Sequence, residues 1–147
     1  MKRKVLIQKF CKEITGMKFH IHEGKCWATD CYDTIYCTDG MQDVGDAAFR
    51  LNFVQRCPIA ECYSDFILSL LHELGHIMTS CKMIGDSTDK DFDTLDEYFA
   101  THDESAATNW AISFMMNKRN ISFLDYYDSQ YRKMQRKYLA KKVKKKG

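Results

Sequence analysis

Several features that would direct this chain of 147 residues to a membrane or to secretion are missing from it. No run approaches 18 consecutive apolar residues, so we expect no transmembrane helix and no membrane association. The apolar run near the start covers only Val5 to Ile7, which is too short for a secretory signal, and no small-residue cleavage site follows it. The sequence therefore predicts a cytoplasmic protein.

Cysteine pairs of the C-x-x-C type are also absent, although the chain has seven cysteines. Their odd number and the lack of a secretion signal argue against a disulfide framework. Their wide spacing argues against a ribbon-type zinc site, so most of them are expected to be small buried side chains.

Acidic residues are missing from the end of the chain. Residues 132–147 hold nine of the 22 Lys and Arg, which leaves 13 basic and 20 acidic residues, a net charge of −7, in the rest. An acidic body is not typical of a nucleic-acid-binding domain. We expect one domain over residues 1–131 and a basic tail over 132–147. The tail is interpreted as a frayed, solvated helix end that contacts nucleic acid or an acidic partner weakly at most.

The hydrophobic pattern predicts an α+β fold. Apolar residues in 5–14 follow a helical stripe that Gly16 should end. Short β-prone runs within residues 17–56, one of them at 48–54, predict a small antiparallel sheet of three or four strands. Pro58 is expected to open the next helix. Capping patterns further on predict a helix or two and a final helix at the C-terminus.

The most specific motif is His72-Glu73-Leu74-Gly75-His76, an instance of H-E-x-x-H in an apolar helical stretch. Two histidines at i and i+4 are separated by about 40° around a helix and about 6 Å along it, so both can hold one Zn²⁺. Glu73 then lies beside the metal, where a general base must take a proton from the attacking water. A shuffled chain would contain the pattern with a probability of roughly 1%. The alternative is a helix with two unrelated histidines.

A catalytic zinc site needs a third protein ligand and keeps one position open for water. A third histidine six residues after His76 is excluded, because Lys82 stands there. The remaining downstream candidates are Asp96, Glu97, His102, Asp103 and Glu104.

Glu104 is the favoured third ligand. It shares one helical face with Ala107 and Ala111, and these small residues would let their helix approach Gly75 on the H-E-x-x-H helix. Two alternatives stay open, namely His102 as the ligand and a helix-capping role for Glu104.

Together these motifs resemble the ImmA/IrrE family of metallopeptidases. The resemblance covers roughly residues 30–117 and depends on the HELGH helix, an acidic gap and the later motif Glu104-x-x-Ala107-x-x-Trp110-Ala111. Thr108 stands where the family commonly has Asn, Trp110 replaces a Phe, and no helix-turn-helix domain is attached. The resemblance implies a cytosolic endopeptidase of restricted specificity that cleaves one partner protein, such as a DNA-binding repressor.

The predicted function is therefore zinc-dependent hydrolysis of a peptide bond, on a zincin-like fold with His72, His76 and Glu104 as ligands and Glu73 as base. One alternative is a zincin-like module that regulates a partner by binding without proteolysis. Another is a nucleic-acid-associated factor that uses residues 132–147.

Overall fold

The computed structural model describes residues 2–38, 47–86 and 104–146. The elements in chain order are α1 (Arg3–Thr15), β1 (His20–Gly24), β2 (Ala28–Thr29), β3 (Thr34–Thr38), α2 (Ala47–Arg56), the 3₁₀ helix η1 (Pro58–Cys62), α3 (Asp65–Asp86), α4 (Glu104–Met116), the 3₁₀ helix η2 (Lys118–Asn120) and α5 (Ile121–Lys146). The predicted α+β class is confirmed. Among the described helices, none combines the length and the apolar composition needed to cross a bilayer.

Helix α1 forms where the sequence predicts it. Its apolar stripe is fully buried at Leu6, Ile7 and Phe10. Gly16 follows the helix with a φ of 76°, in the left-handed region that glycine adopts without strain, and its N–H donates to the carbonyl of Lys12 at 2.7 Å. The glycine therefore ends α1, as expected.

The sheet is mixed, so the predicted antiparallel sheet is wrong in one of its two pairings. Its strand order is β1-β3-β2, with β2 antiparallel to β3 and β1 parallel to β3 from His20↔Thr34 to Gly24↔Thr38. Residues 25–33, which include β2, connect the two parallel strands. Alternation along a sequence identifies strands, but it carries no information about their partners or direction.

The β-prone run at 48–54 is also a wrong prediction, because it lies within helix α2. Phe49 and Phe53 are four residues apart, and their ring centroids lie 5.1 Å from each other. Phe53 is fully buried, whereas Leu51 is 54% exposed. The helical spacing of the buried Phe53 and the partly buried Phe49 outweighs the β propensity of the individual residues.

The helix that carries the HELGH motif starts later than predicted. Pro58 opens only the short helix η1, whereas α3 begins at Asp65. The preceding Ser64 is buried, and its N–H and hydroxyl donate to one carboxylate oxygen of Asp128 on α5, at 2.9 and 2.7 Å. The start of α3 is therefore attached to α5.

Helix α3 lies at the centre of the described part of the molecule. Consecutive side chains around it are buried, including Ile67, Leu68, Leu70, Leu71 and Leu74. A helix that is apolar on most sides must be covered by several elements. Phe66 contacts α5 and the residue before β2: the centroid of its ring lies 4.1 Å from that of Tyr131, on which it stacks, and 5.7 Å from that of Trp27. Helix α4 packs along its HELGH motif.

Candidate metal centre

One turn of α3 brings together three of the four predicted site residues. His72, Glu73 and His76 are 7%, 6% and 5% exposed. Each offers a ligand atom, and these atoms all lie within 4.8 Å of one another. The two imidazole rings are nearly perpendicular, with their centroids 4.7 Å apart. This buried His-Glu-His group can hold a metal ion.

Glu104, the first residue of α4, meets both histidines. Its Oε2 lies 2.8 Å from Nε2 of His72, and its Oε1 lies 3.1 Å from Nε2 of His76. The Glu104 side chain is 61% exposed, whereas those of the two histidines are 9% and 7% exposed. The three donor groups therefore converge at the boundary between the core and solvent.

The contact depends on a close approach of α4 to α3 at Gly75. A Cβ at this position would lie 2.3 Å from the carbonyl oxygen of Ala107, and less than 3 Å from its Cα and carbonyl carbon. Ala107 and Ala111 are both fully buried. The expected packing of small residues on both helices is present, and it sets the position of the Glu104 carboxylate one turn before Ala107.

Thr108 on α4 contacts His72 on the side away from Glu104, and no role in the site was predicted for it from the sequence. Its hydroxyl lies 3.1 Å from Nδ1 of His72, and the residue is buried. A hydroxyl can accept the Nδ1–H and so leave the Nε2 lone pair for a metal. Thr108 follows Glu104 by four residues on a helix, so its place on the same face was available as a signal.

Replacing Thr108 by Val should weaken the binding of an added divalent metal ion to this group by about 10–100-fold, because the hydroxyl beside His72 is lost while the shape is kept. Competition against a chromophoric chelator measures the affinity. Thr108→Ser should restore it, and Thr15→Val, which removes a hydroxyl from α1, should not change it. Wild-type affinity in Thr108→Val would show that the contact does not orient the ligand.

Phe49 on α2 is a second residue that contacts His72 and that was not predicted from the sequence. Its ring meets the His72 imidazole edge-on, at 5.3 Å between centroids. Arg56, at the other end of α2, donates to the side chain of Asn109 on α4. Helix α2 thus covers one side of His72 and is connected to the helix that carries Glu104. Because residues 48–54 were predicted to form a strand, the contact of Phe49 with His72 was not expected.

The other candidates for the third ligand, Asp96, Glu97, His102 and Asp103, lie outside the described residues. Comparisons of the chain with protein-family models, with curated proteins and with solved structures give no match. These comparisons therefore assign no family to the chain.

Proposed function

We propose that this protein is a zinc-dependent metalloendopeptidase with a zincin-like fold, which hydrolyses a peptide bond in a specific protein partner. One observation carries the proposal. The two carboxylate oxygens of Glu104 each contact the Nε2 atom of one motif histidine, at 2.8 and 3.1 Å. Glu104 lies on another helix, 28 residues after His76. Two imidazoles and a distant carboxylate form the ligand set of the gluzincin-like zinc hydrolases.

The donor atoms fit zinc in type and in spacing. Ligands about 2.0–2.1 Å from a tetrahedral zinc lie about 3.3 Å from one another, slightly more than the distances found here. Nitrogen donors argue against Ca²⁺ and Mg²⁺, which prefer oxygen throughout. The exposed side of Glu104 leaves room for a fourth ligand. When bound by these residues, Zn²⁺ supplies the Lewis acidity that lowers the pKa of a water and polarises a carbonyl oxygen.

Glu73 is the proposed general base. Its carboxylate lies within 4.8 Å of the donor atoms of His72 and His76, a distance that one water can bridge. In hydrolysis the carboxylate takes a proton from the attacking water and later delivers it to the nitrogen of the leaving amine. His72, His76 and Glu104 would hold the metal, and the ring of Phe49 covers one side of the His72 imidazole.

The substrate class is inferred from the resemblance to ImmA/IrrE metallopeptidases. The HELGH motif and the Glu104-x-x-Ala107 motif are the grounds for this inference. By this likeness the substrate is one partner protein, such as a DNA-binding repressor, and the site of action is the cytoplasm.

The metal content of purified variants tests the ligand set. Mass spectrometry should find one zinc per chain in the wild type and almost none in His76→Ala or Glu104→Ala, since two ligands hold zinc far less tightly than three. His22→Ala and Glu61→Ala, which alter an exposed histidine of β1 and an exposed glutamate of η1, are the matched controls. Full zinc content in Glu104→Ala would move the third ligand elsewhere, and a zinc-free wild type would refute the proposal.

A further inference from the structure

The second half of α5 carries an unusual concentration of positive charge. The helix continues without interruption to Lys146, whereas the sequence was interpreted as a frayed end. Tyr131, which stacks on Phe66, is the last buried side chain of α5 among those described. No Asp or Glu follows Asp128 in the chain. The helix therefore extends beyond Tyr131 as a segment that has nine basic residues and no acidic ones.

Among the side chains that the structure describes, the exposed cations of this segment share one side of the helix. At about 100° per residue they spread over about half of its circumference, with i,i+4 neighbours about 6 Å apart along the axis. We call this set the basic face: Arg132, Lys133, Arg136, Lys137 and Lys141.

In the described part of the chain, ion pairing reaches the basic face only at Arg132. Arg132 pairs with Asp128, with Nε and Oδ2 2.7 Å apart. Within residues 2–38, 47–86 and 104–146, no ion pair forms at Lys133, Arg136, Lys137 or Lys141. Like charges at i and i+4 repel each other and destabilise a helix. A polyanion that neutralises them removes this repulsion and releases its own counterions.

The side of the helix opposite the basic face lacks the broad apolar surface that would bind a membrane. A helix that lies on a bilayer needs a broad apolar face opposite its charges. Here Leu139 and Val143, the exposed apolar residues of the segment, fall at the edge of the basic face. The opposite side holds Tyr138, with the ammonium of Lys142 5.5 Å from its ring centroid.

We infer that the basic face of α5 binds the phosphate backbone of nucleic acid without reading its sequence. This inference goes beyond the proposed hydrolase activity and does not depend on it. Lysines and arginines at regular spacing on a continuous helix can neutralise successive phosphates, which carry the affinity of non-specific binding.

Fluorescence anisotropy with a labelled duplex DNA, at about 50–200 mM NaCl, tests the inference on the full chain. For the wild type, the logarithm of the association constant should fall linearly with the logarithm of the salt concentration. The triple variant Lys133→Gln, Lys137→Gln and Lys141→Gln should flatten the slope by about 2.7, because each lost phosphate contact removes about 0.9.

The control triple variant changes Lys4, Lys9 and Lys12, three exposed lysines of α1, to Gln and so alters the net charge equally. It should keep the wild-type slope. Three results would each overturn the inference. They are an equal loss of DNA affinity in the two triple variants, DNA binding that does not depend on salt, and tighter binding to vesicles that contain phosphatidylserine than to DNA. Both triples should retain wild-type zinc content, so failure of this test is distinct from failure of the proposed hydrolase.

Discussion

Glu73→Gln should lower kcat/KM for peptide hydrolysis by about 10²–10⁴-fold, because the amide cannot take up the proton of the attacking water. Zinc content should stay at the wild-type level, since His72, His76 and Glu104 are unchanged. Cleavage is measured by mass spectrometry on a peptide library, and then as kinetics on the best substrate. Glu61→Gln, at an exposed glutamate of η1, is the matched control and should retain full activity.

The same variant separates proteolysis from regulation by binding. A zincin-like module that acts by contact alone needs the shape of the site and not its proton transfer. If Glu73→Gln binds zinc and keeps the full effect on its partner protein, the hydrolase proposal is wrong and the binding module is correct. Loss of the effect together with loss of cleavage supports hydrolysis.

Gly75→Ala should separate α4 from α3 and disrupt the metal site. The new Cβ would lie 2.3 Å from the carbonyl oxygen of Ala107, and a backbone atom cannot turn aside as a flexible side chain can. We expect the overpacking to cost about 3 kcal/mol, offset by about 1 kcal/mol from the better helix propensity of alanine. Zinc affinity should also fall by about 100-fold or more, because Glu104 moves with α4.

Two measurements separate these effects of Gly75→Ala. Thermal unfolding in the presence of a chelator reports the stability of the metal-free protein, and chelator competition reports the zinc affinity. Gly24→Ala is the matched control, since a Cβ there meets no atom within 4 Å. A Gly75→Ala protein with wild-type stability and zinc affinity would contradict the close packing of the two helices.

The direction of β1 and the helical fold of residues 48–54 were both predicted wrongly, for one physical reason. Both features depend on contacts between residues that are far apart in the sequence. A local hydrophobic pattern does not contain information about such contacts. β1 pairs with β3 across a crossover, and Phe49 and Phe53 are held in a helix. By contrast, the end of α1 at Gly16 was predicted correctly, because it depends on the backbone freedom of a single residue.

The sequence by itself determined that His72, Glu73 and His76 lie on one helical turn, because the period of an α-helix sets that geometry within five residues. It also narrowed the third ligand to a few candidates and favoured Glu104. Only the tertiary structure brought the Glu104 carboxylate to both Nε2 atoms and the Thr108 hydroxyl to Nδ1 of His72. Those contacts join separate helices, so they are decided by how closely the two backbones pack at Gly75.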